Sequence, residues 1–161
     1  VTGITTEVEQ PPGESLGFKP RHVEVIRNAL RAVNEAGTGR RVFAGAPYSS
    51  AGKTGTAQAV AWAQGTKYNA RLLAEHQRDH SLFAAFAPVE DPKVAVAIIV
   101  ENAGFGAAAA APIVRRVFDY WLLGQYPSEE DIAAVSKGQG GRPIGTPRRA
   151  EEVELAPTVV P

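Results

Sequence analysis

Two segments of the 161-residue chain repeat apolar residues at helical spacing. In segment 20–36 the apolar positions lie three or four residues apart, which places them on one side of a helix. Pro20 is acceptable in the first turn of that helix, and Gly37 is placed to end it. Segment 107–123 has a similar apolar side and is followed by Gly124. The pattern therefore predicts two helices whose apolar sides pack into a core.

Three other segments have the composition of strands. Segment 50–58, which reads SAGKTGTAQ, is rich in threonine and small residues, and this favours an extended conformation over a helix. Segments 81–88 and 93–101 are apolar runs of strand length separated by a Glu-Asp-Pro turn signal, so they predict an antiparallel hairpin. Because 94–100 is apolar at nearly every position, we expect both of its faces to be covered.

The order helix, three strands, helix predicts an α+β fold, in which an antiparallel sheet of three strands carries flanking helices. Segment 37–50 is punctuated by glycine and proline, and we expect a loop there with one short extended piece. A short helical turn is expected at 70–77. Three strands make a thin sheet for a free-standing domain, so a partner segment is expected to complete it.

The two ends of the chain carry little periodic pattern. Residues 1–19 form a loop-rich lead-in, which we group with the domain portion at 1–125. Residues 126–161 are rich in proline, glycine and charge, and we expect a C-terminal tail that lies over the domain or is mobile. The acidic cluster at 129–131 is interpreted as a solvated linker.

Composition narrows the classes of function. Lys plus Arg and Asp plus Glu balance at 17 each, which argues against a nucleic-acid partner. The absence of cysteine removes disulfides, thiolate metal sites and thiol nucleophiles. His76 and His80 lie four residues apart, but no third ligand of suitable spacing accompanies them, so we expect structural hydrogen bonds and no metal. The apolar runs fall short of the roughly 20 residues that a membrane span needs, so any anchor is expected outside this chain.

The segment Gly52-Lys53-Thr54 imitates the end of a phosphate-binding P-loop. That loop needs a glycine at position 47, where this chain has Pro47. It should also open directly into a helix, whereas the next residues are mediocre or poor helix formers. A nucleotide-binding fragment is therefore the less favoured alternative.

Ser50 and Lys53 have the S-x-x-K spacing of serine acyltransferases. In those enzymes the two residues lie on a helix, where positions three apart face each other. On a strand they point to opposite faces. We therefore do not expect Lys53 to activate Ser50 as a nucleophile.

A third interpretation fits the sequence better than a P-loop or an S-x-x-K motif: segment 50–58 is an extended strand at the edge of a cleft that binds an anionic substrate. Thr54 and Thr56 then share one face, and the Lys53 side chain is long enough to reach into the cleft from the other. Gly55 has no side chain and allows a ligand to approach closely. A cation, two hydroxyls and free backbone amides together suit a carboxylate and a developing oxyanion.

The stretch AGKTGTAQ resembles the K-[ST]-G-T-[AG] motif of penicillin-binding proteins. The flanking stretches 37–58 and 68–106 resemble the elongation-type class B members of that family, and the match extends over most of 20–125. The resemblance implies a penicillin-binding/β-lactamase-like serine acyltransferase fold. Residues 1–125 are then the C-terminal portion of a transpeptidase domain.

The resemblance also implies roles for individual residues. The hydroxyls of Thr54 and Thr56 hold the carboxylate of a D-Ala-D-Ala stem peptide or of a β-lactam, beside Gly55. The amide of Thr56 is an oxyanion donor, and Lys53 keeps the cleft positive. The implied reaction is peptidoglycan D,D-transpeptidation, in which a serine is acylated and the acyl group passes to an amine, without a cofactor.

The chain departs from the family pattern at two motifs, since it contains no credible S-x-x-K and no S-x-N. In the family both precede K-T-G, so we expect the nucleophilic serine in an N-terminal half of the domain and no activity from this chain alone. The family also implies a location on the periplasmic face of the bacterial inner membrane. It implies partners in the cell-elongation machinery, including a lipid-linked glycan polymerase. The alternative is a non-catalytic interaction module of the cell-wall machinery.

Overall fold

A computed structural model describes residues 15–61 and 69–153. Helix α1 spans Pro20–Glu35 and has its proline in the first turn, as the sequence predicts. The chain leaves the helix through Gly37, whose N–H donates to the carbonyl of Ala32 at 2.9 Å. Residues 1–14 of the predicted lead-in and 154–161 of the predicted tail lie outside the described residues.

The three predicted strands are present as β1 (Ala51–Ala57), β2 (His80–Ala87) and β3 (Val94–Val100). They form one antiparallel sheet in the order β1-β2-β3. In its register Phe83 of β2 lies opposite Thr54 of β1 on one side and Ile98 of β3 on the other. The predicted α+β class and the predicted hairpin are confirmed.

Helix α3, Ala110–Leu123, covers one face of the sheet. It ends at Gly124, which has the left-handed φ of 62° that glycine adopts without strain. Its Phe118 ring lies 6.3 Å from Phe43, which in turn stacks 5.9 Å from Phe83 of the sheet. Burying one such ring stabilises a fold by about 1.5–3 kcal/mol. The buried apolar cluster consists of Val42, Phe43, Phe83, Ala85, Ala87, Ala110, Ala111, Val114 and Phe118.

The prediction that both faces of β3 are covered is wrong for the described residues. Its side chains alternate between half-buried and exposed positions, and Ile99 is 66 % exposed. The exposed side of β3 continues across Ala84 of β2. An apolar residue at every position cannot reveal which face meets a helix, and here α3 covers only one.

The loop predicted at 37–50 contains a short helix, α2, at Arg40–Phe43, so the extended piece expected there is wrong. Four residues are too few to show a helical period. Burial of Val42 and Phe43 in the core holds this turn in place. The helical turn expected at 70–77 is confirmed as two 3₁₀ turns, Ala70–Leu72 and Glu75–Gln77.

The C-terminal segment contains more structure than its composition suggested. Strands β4 (Gln125–Tyr126) and β5 (Arg148–Arg149) pair, and helix α4 spans Glu129–Ser136 between them. A 3₁₀ turn follows at Ala150–Glu152. The helices in the described part of the chain lack the length and apolar character needed to cross a membrane.

The solvated linker predicted at 129–131 is wrong for Asp131, which is 1 % exposed. Both of its carboxylate oxygens accept hydrogen bonds from the Arg116 guanidinium, at 2.9 and 2.6 Å. The Asp131 amide in turn donates to the Ser128 hydroxyl at 3.0 Å, which caps the start of α4. Ser-x-x-Asp is a capping signal, so these acidic residues begin a helix.

Candidate functional site

Strand β1 has one open edge. It pairs with β2 along one side, and no strand of the described residues pairs with the other. Its first residues are buried and its last ones exposed, so the strand emerges from the core as it reaches its second half. The tract predicted to be extended is therefore a strand, and it does not form the loop leading directly into a helix that a P-loop requires.

Lys53 is exposed, and its Nζ donates to the carbonyl oxygen of Thr54 at 2.8 Å. That contact places the Thr54 carbonyl at the open edge. In an antiparallel strand the N–H and C=O of one residue point to the same edge, and the direction repeats every second residue. The amide N–H of Thr56 therefore faces the open edge as well.

Thr54 and Thr56 share one face of β1, while Lys53 and Gly55 belong to the other. Thr54 is half-buried and Thr56 is exposed. The four site residues predicted from the sequence thus lie together at the open half of the strand, with the lysine amine bound to the backbone between the two threonines.

Gly55 meets close neighbours from within the fold itself. A Cβ added there would lie 3.2 Å from Cβ of Leu82. The backbone of Gly106, in the loop before α3, also packs against this point. A Cβ on Gly106 would lie 2.2 Å from the Leu82 carbonyl oxygen and 2.7 Å from that of Gly55. Gly106 is therefore needed where the loop before α3 crosses the strand backbone, whereas a side chain at position 55 would press only on Leu82 of the paired strand.

The beginning of β1 is tied to α1 by a buried contact. The side-chain amide of Asn34 donates to the hydroxyl of Ser50 at 2.9 Å. Ser50 is only 6 % exposed and directly precedes the strand, and the Lys53 amine bonds instead to the Thr54 carbonyl. These positions agree with the expectation that Ser50 is not a nucleophile activated by this lysine.

The preceding residue, Ser49, joins a second network at the surface. Its hydroxyl donates to the Glu90 carboxylate and accepts from the Val89 amide at 2.8 Å. Arg31 of α1 approaches the same carboxylate at 3.1 Å. The hydrogen bond from Ser49 is the main cause that lowers the pKa of Glu90, and Arg31 adds to the effect. This network holds the start of β1 between α1 and the β2–β3 turn.

A third set of contacts ties the segment before β1 to helix α3. The Tyr48 hydroxyl donates to the Asp119 carboxylate at 2.8 Å, and Arg115 donates to both oxygens of that carboxylate at 2.9 Å. Burial is the main cause that raises the pKa of Tyr48, and the Asp119 contact adds to it. The phenol therefore stays protonated and fastens the segment before β1 to α3.

Sequence reasoning missed Thr38, which follows α1 in the sequence Gly37-Thr38-Gly39. Its hydroxyl oxygen lies 3.3 Å from the hydroxyl oxygen of Thr54. A threonine between two glycines was the available signal, but nothing local indicated that this turn reaches β1.

The histidines do not assemble a metal site. His80 Nδ1 accepts a hydrogen bond from the Asn102 amide at 3.0 Å, which is the structural role expected for it. His76 is exposed. Within residues 15–61 and 69–153, no group of three potential metal-ligating side chains comes together.

Comparison with known proteins gives the strand a context. A family model described as the penicillin binding protein transpeptidase domain matches residues 1–119. The peptidoglycan D,D-transpeptidase MrdA of Haemophilus influenzae is 46% identical over 103 residues, which cover 64% of this chain and 16% of the relative. The chain therefore spans about one sixth of the length of this curated relative.

Two solved structures are similar in fold. Pseudomonas aeruginosa PBP2, in complex with WCK 5153, gives a TM-score of 0.57 at 34% identity, covering 75% of this chain and 24% of the other. Helicobacter pylori PBP2, in complex with MreC, gives a TM-score of 0.51 at 26% identity, covering 65% and 18% respectively.

Proposed function

The chain belongs to the penicillin-binding protein transpeptidase family, and we propose that it forms the K-T-G wall of an elongation-type peptidoglycan D,D-transpeptidase. One observation carries the proposal. Strand β1 presents Lys53, Thr54 and Thr56 together along an open, solvent-facing edge. A carboxylate and a developing oxyanion need this combination of a cation, hydroxyl donors and a backbone amide.

We assign each group of the wall a role in binding the stem peptide. The Thr54 and Thr56 hydroxyls donate to the carboxylate of the terminal D-Ala, and the Thr56 N–H stabilises the oxyanion. Lys53 contributes the positive charge, and Gly55 keeps the strand free of a side chain at its centre. A β-lactam presents a carboxylate and a carbonyl of the same chemistry, so it acylates the same site.

The reaction needs a serine from an N-terminal half of the same domain. Its oxygen bonds to the penultimate D-Ala carbonyl carbon, the bond to the terminal D-Ala nitrogen breaks, and the serine proton leaves with that amine. An amine of a neighbouring stem peptide then attacks the acyl-serine and restores the hydroxyl. We propose that the reaction needs no cofactor and that the 161-residue chain alone is inactive, because it carries no credible S-x-x-K and no S-x-N motif.

The exposed apolar surface supports that N-terminal half as a partner. Ile99 on the uncovered side of β3 is 66 % exposed, and α1 exposes Val25 and Ile26 to a similar degree. Burial of such a surface stabilises by about 25 cal/mol per Å². We place the segment that bears the nucleophile against this surface and along the outer edge of β3, which pairs with no strand in the described part of the chain. This leaves the open edge of β1 for the substrate.

We further propose that the complete protein acts on the periplasmic face of the inner membrane, held by an anchor outside this chain. Its partners there are cell-elongation proteins, including a lipid-linked glycan polymerase. The complex of Helicobacter pylori PBP2 with MreC supports an association of this kind.

Labelling with fluorescent penicillin tests the proposal in the full-length gene product that contains this chain. Lys53→Gln is expected to reduce the rate of labelling at least tenfold, because it removes the cation beside the acylation site. Lys93→Gln is the matched control, since Lys93 is also exposed but lies in the β2–β3 turn. A full-length protein that is not labelled, or a Lys53→Gln variant that labels like the control, would contradict the proposal.

A further inference from the structure

We propose that Thr38 is a positioning residue of the carboxylate pocket, whose hydroxyl orients the Thr54 hydroxyl toward the substrate. This inference rests on the proposed function and adds a residue outside the K-T-G strand. The observation behind it is the 3.3 Å separation between the two hydroxyl oxygens, in which either can be the donor. The two residues lie sixteen positions apart in the sequence.

The turn that carries Thr38 is fixed by its own backbone. The N–H of Gly37 donates to the carbonyl of Ala32, and the N–H of Gly39 donates to that of Val33, both at 2.9 Å. Both bonds close the turn onto the last residues of α1. Thr38 is therefore held between two anchored residues and does not depend on its side chain for its place.

The flanking glycines also allow the turn to lie this close to the helix. A Cβ on Gly37 would lie 2.9 Å from Cα of Val33, and one on Gly39 would lie 2.5 Å from Oδ1 of Asn34. A side chain at position 37 would push the turn away from the helix backbone, and one at position 39 would force the buried Asn34 side chain to move. The same Asn34 donates to Ser50 just before β1, so its side chain contacts both the turn and the segment that leads into the strand.

The chemistry of two paired hydroxyls gives Thr38 its function. Each hydroxyl donates one hydrogen and has two lone pairs that accept. When Thr54 donates to a carboxylate, its oxygen still accepts a hydrogen bond, and Thr38 supplies it. Hydrogen bonds in such a chain polarise one another and strengthen the terminal bond to the anion.

Thr54 is then fixed from two directions. Lys53 holds its carbonyl at 2.8 Å, and Thr38 holds its hydroxyl. Thr38 itself is exposed, so its hydroxyl is not needed to satisfy a buried group. Thr38 therefore differs from Asn34 and Ser50, whose buried hydrogen bond anchors the start of β1.

The test compares Thr38→Val with Thr38→Ser in the full-length gene product. The measurement is the second-order rate constant of acylation by a β-lactam free acid and by its methyl ester. Valine keeps the shape of threonine but removes the hydroxyl, whereas serine keeps the hydroxyl. We expect Thr38→Val to lose roughly fivefold with the acid, the factor for one hydrogen bond, and less than twofold with the ester. Thr38→Ser should match the unmodified protein with both.

A double substitution checks that Thr38 acts through Thr54. Once Thr54→Val has removed the receiving hydroxyl, adding Thr38→Val should cause no further loss with the acid. Equal losses with acid and ester, or additive losses in the double variant, would overturn the inference and indicate a general disturbance. So would a Thr38→Val variant that acylates normally with the acid. Failure of the unmodified protein to react with either compound would instead contradict the proposed function.

Discussion

Replacing Asp131 with asparagine should loosen the C-terminal segment from the domain. The substitution keeps the shape of the side chain but leaves the Arg116 guanidinium without its buried counter-charge. Breaking a buried ion pair on one side costs about 3–5 kcal/mol. Arg116 also donates to the carbonyls of Pro112 and Gly140, at 2.8 and 3.0 Å, and these bonds survive. We therefore expect Asp131→Asn to lower the free energy of opening of the C-terminal segment by about 3 kcal/mol, the lower end of that range.

Hydrogen exchange in the full-length protein measures this loss locally. If the amides of α4 exchange through opening of the segment, about 3 kcal/mol corresponds to a roughly 150-fold faster exchange. Glu130→Gln is the control, because it removes one charge from the same helical turn at an exposed position. Should Asp131→Asn accelerate exchange no more than Glu130→Gln does, the ion pair does not hold this segment in place.

Three further predictions concern the anchors of the site. Tyr48→Phe removes a hydrogen bond to the Asp119 carboxylate and should destabilise the protein by about 1–3 kcal/mol, measured by urea unfolding. Gly106→Ala forces a Cβ against the Leu82 carbonyl and should slow penicillin labelling by displacing the loop from the strand; an unchanged rate would contradict that packing. The Glu90 carboxyl should titrate by NMR at a lower pH than an unpaired glutamate, because the hydrogen bond from Ser49 lowers its pKa. The contact with Ser49 is then complete above the ordinary glutamate pKa and is lost as pH falls through the lowered pKa.

Much of the scaffold could be predicted because its signals are local. Pro20 and Gly124 mark helix boundaries through their own backbone preferences, and both lie where the sequence placed them. The threonine-rich tract and the apolar hairpin likewise favour strands whatever surrounds them. The positions of Lys53, Thr54 and Thr56 along one strand followed from that extended conformation.

The remaining features depend on contacts between distant residues. Thr38 reaches β1 only because the turn after α1 folds back on the helix. No local sequence pattern predicts this contact. Asp131 is buried because Arg116 of α3 lies opposite it. Which face of β3 is uncovered depends on the side of the sheet that α3 occupies, and a strand that is apolar at every position does not indicate that side.

We propose above that the open edge of β1 binds the carboxylate and the oxyanion of an acyl-transfer reaction. A crystal structure of the full-length protein acylated by a β-lactam tests it most directly. We expect the ligand carboxylate within hydrogen-bond distance of the Thr54 and Thr56 hydroxyls, and the acyl carbonyl oxygen within the same distance of the Thr56 amide. An adduct whose carboxylate and carbonyl lie away from this edge would contradict it.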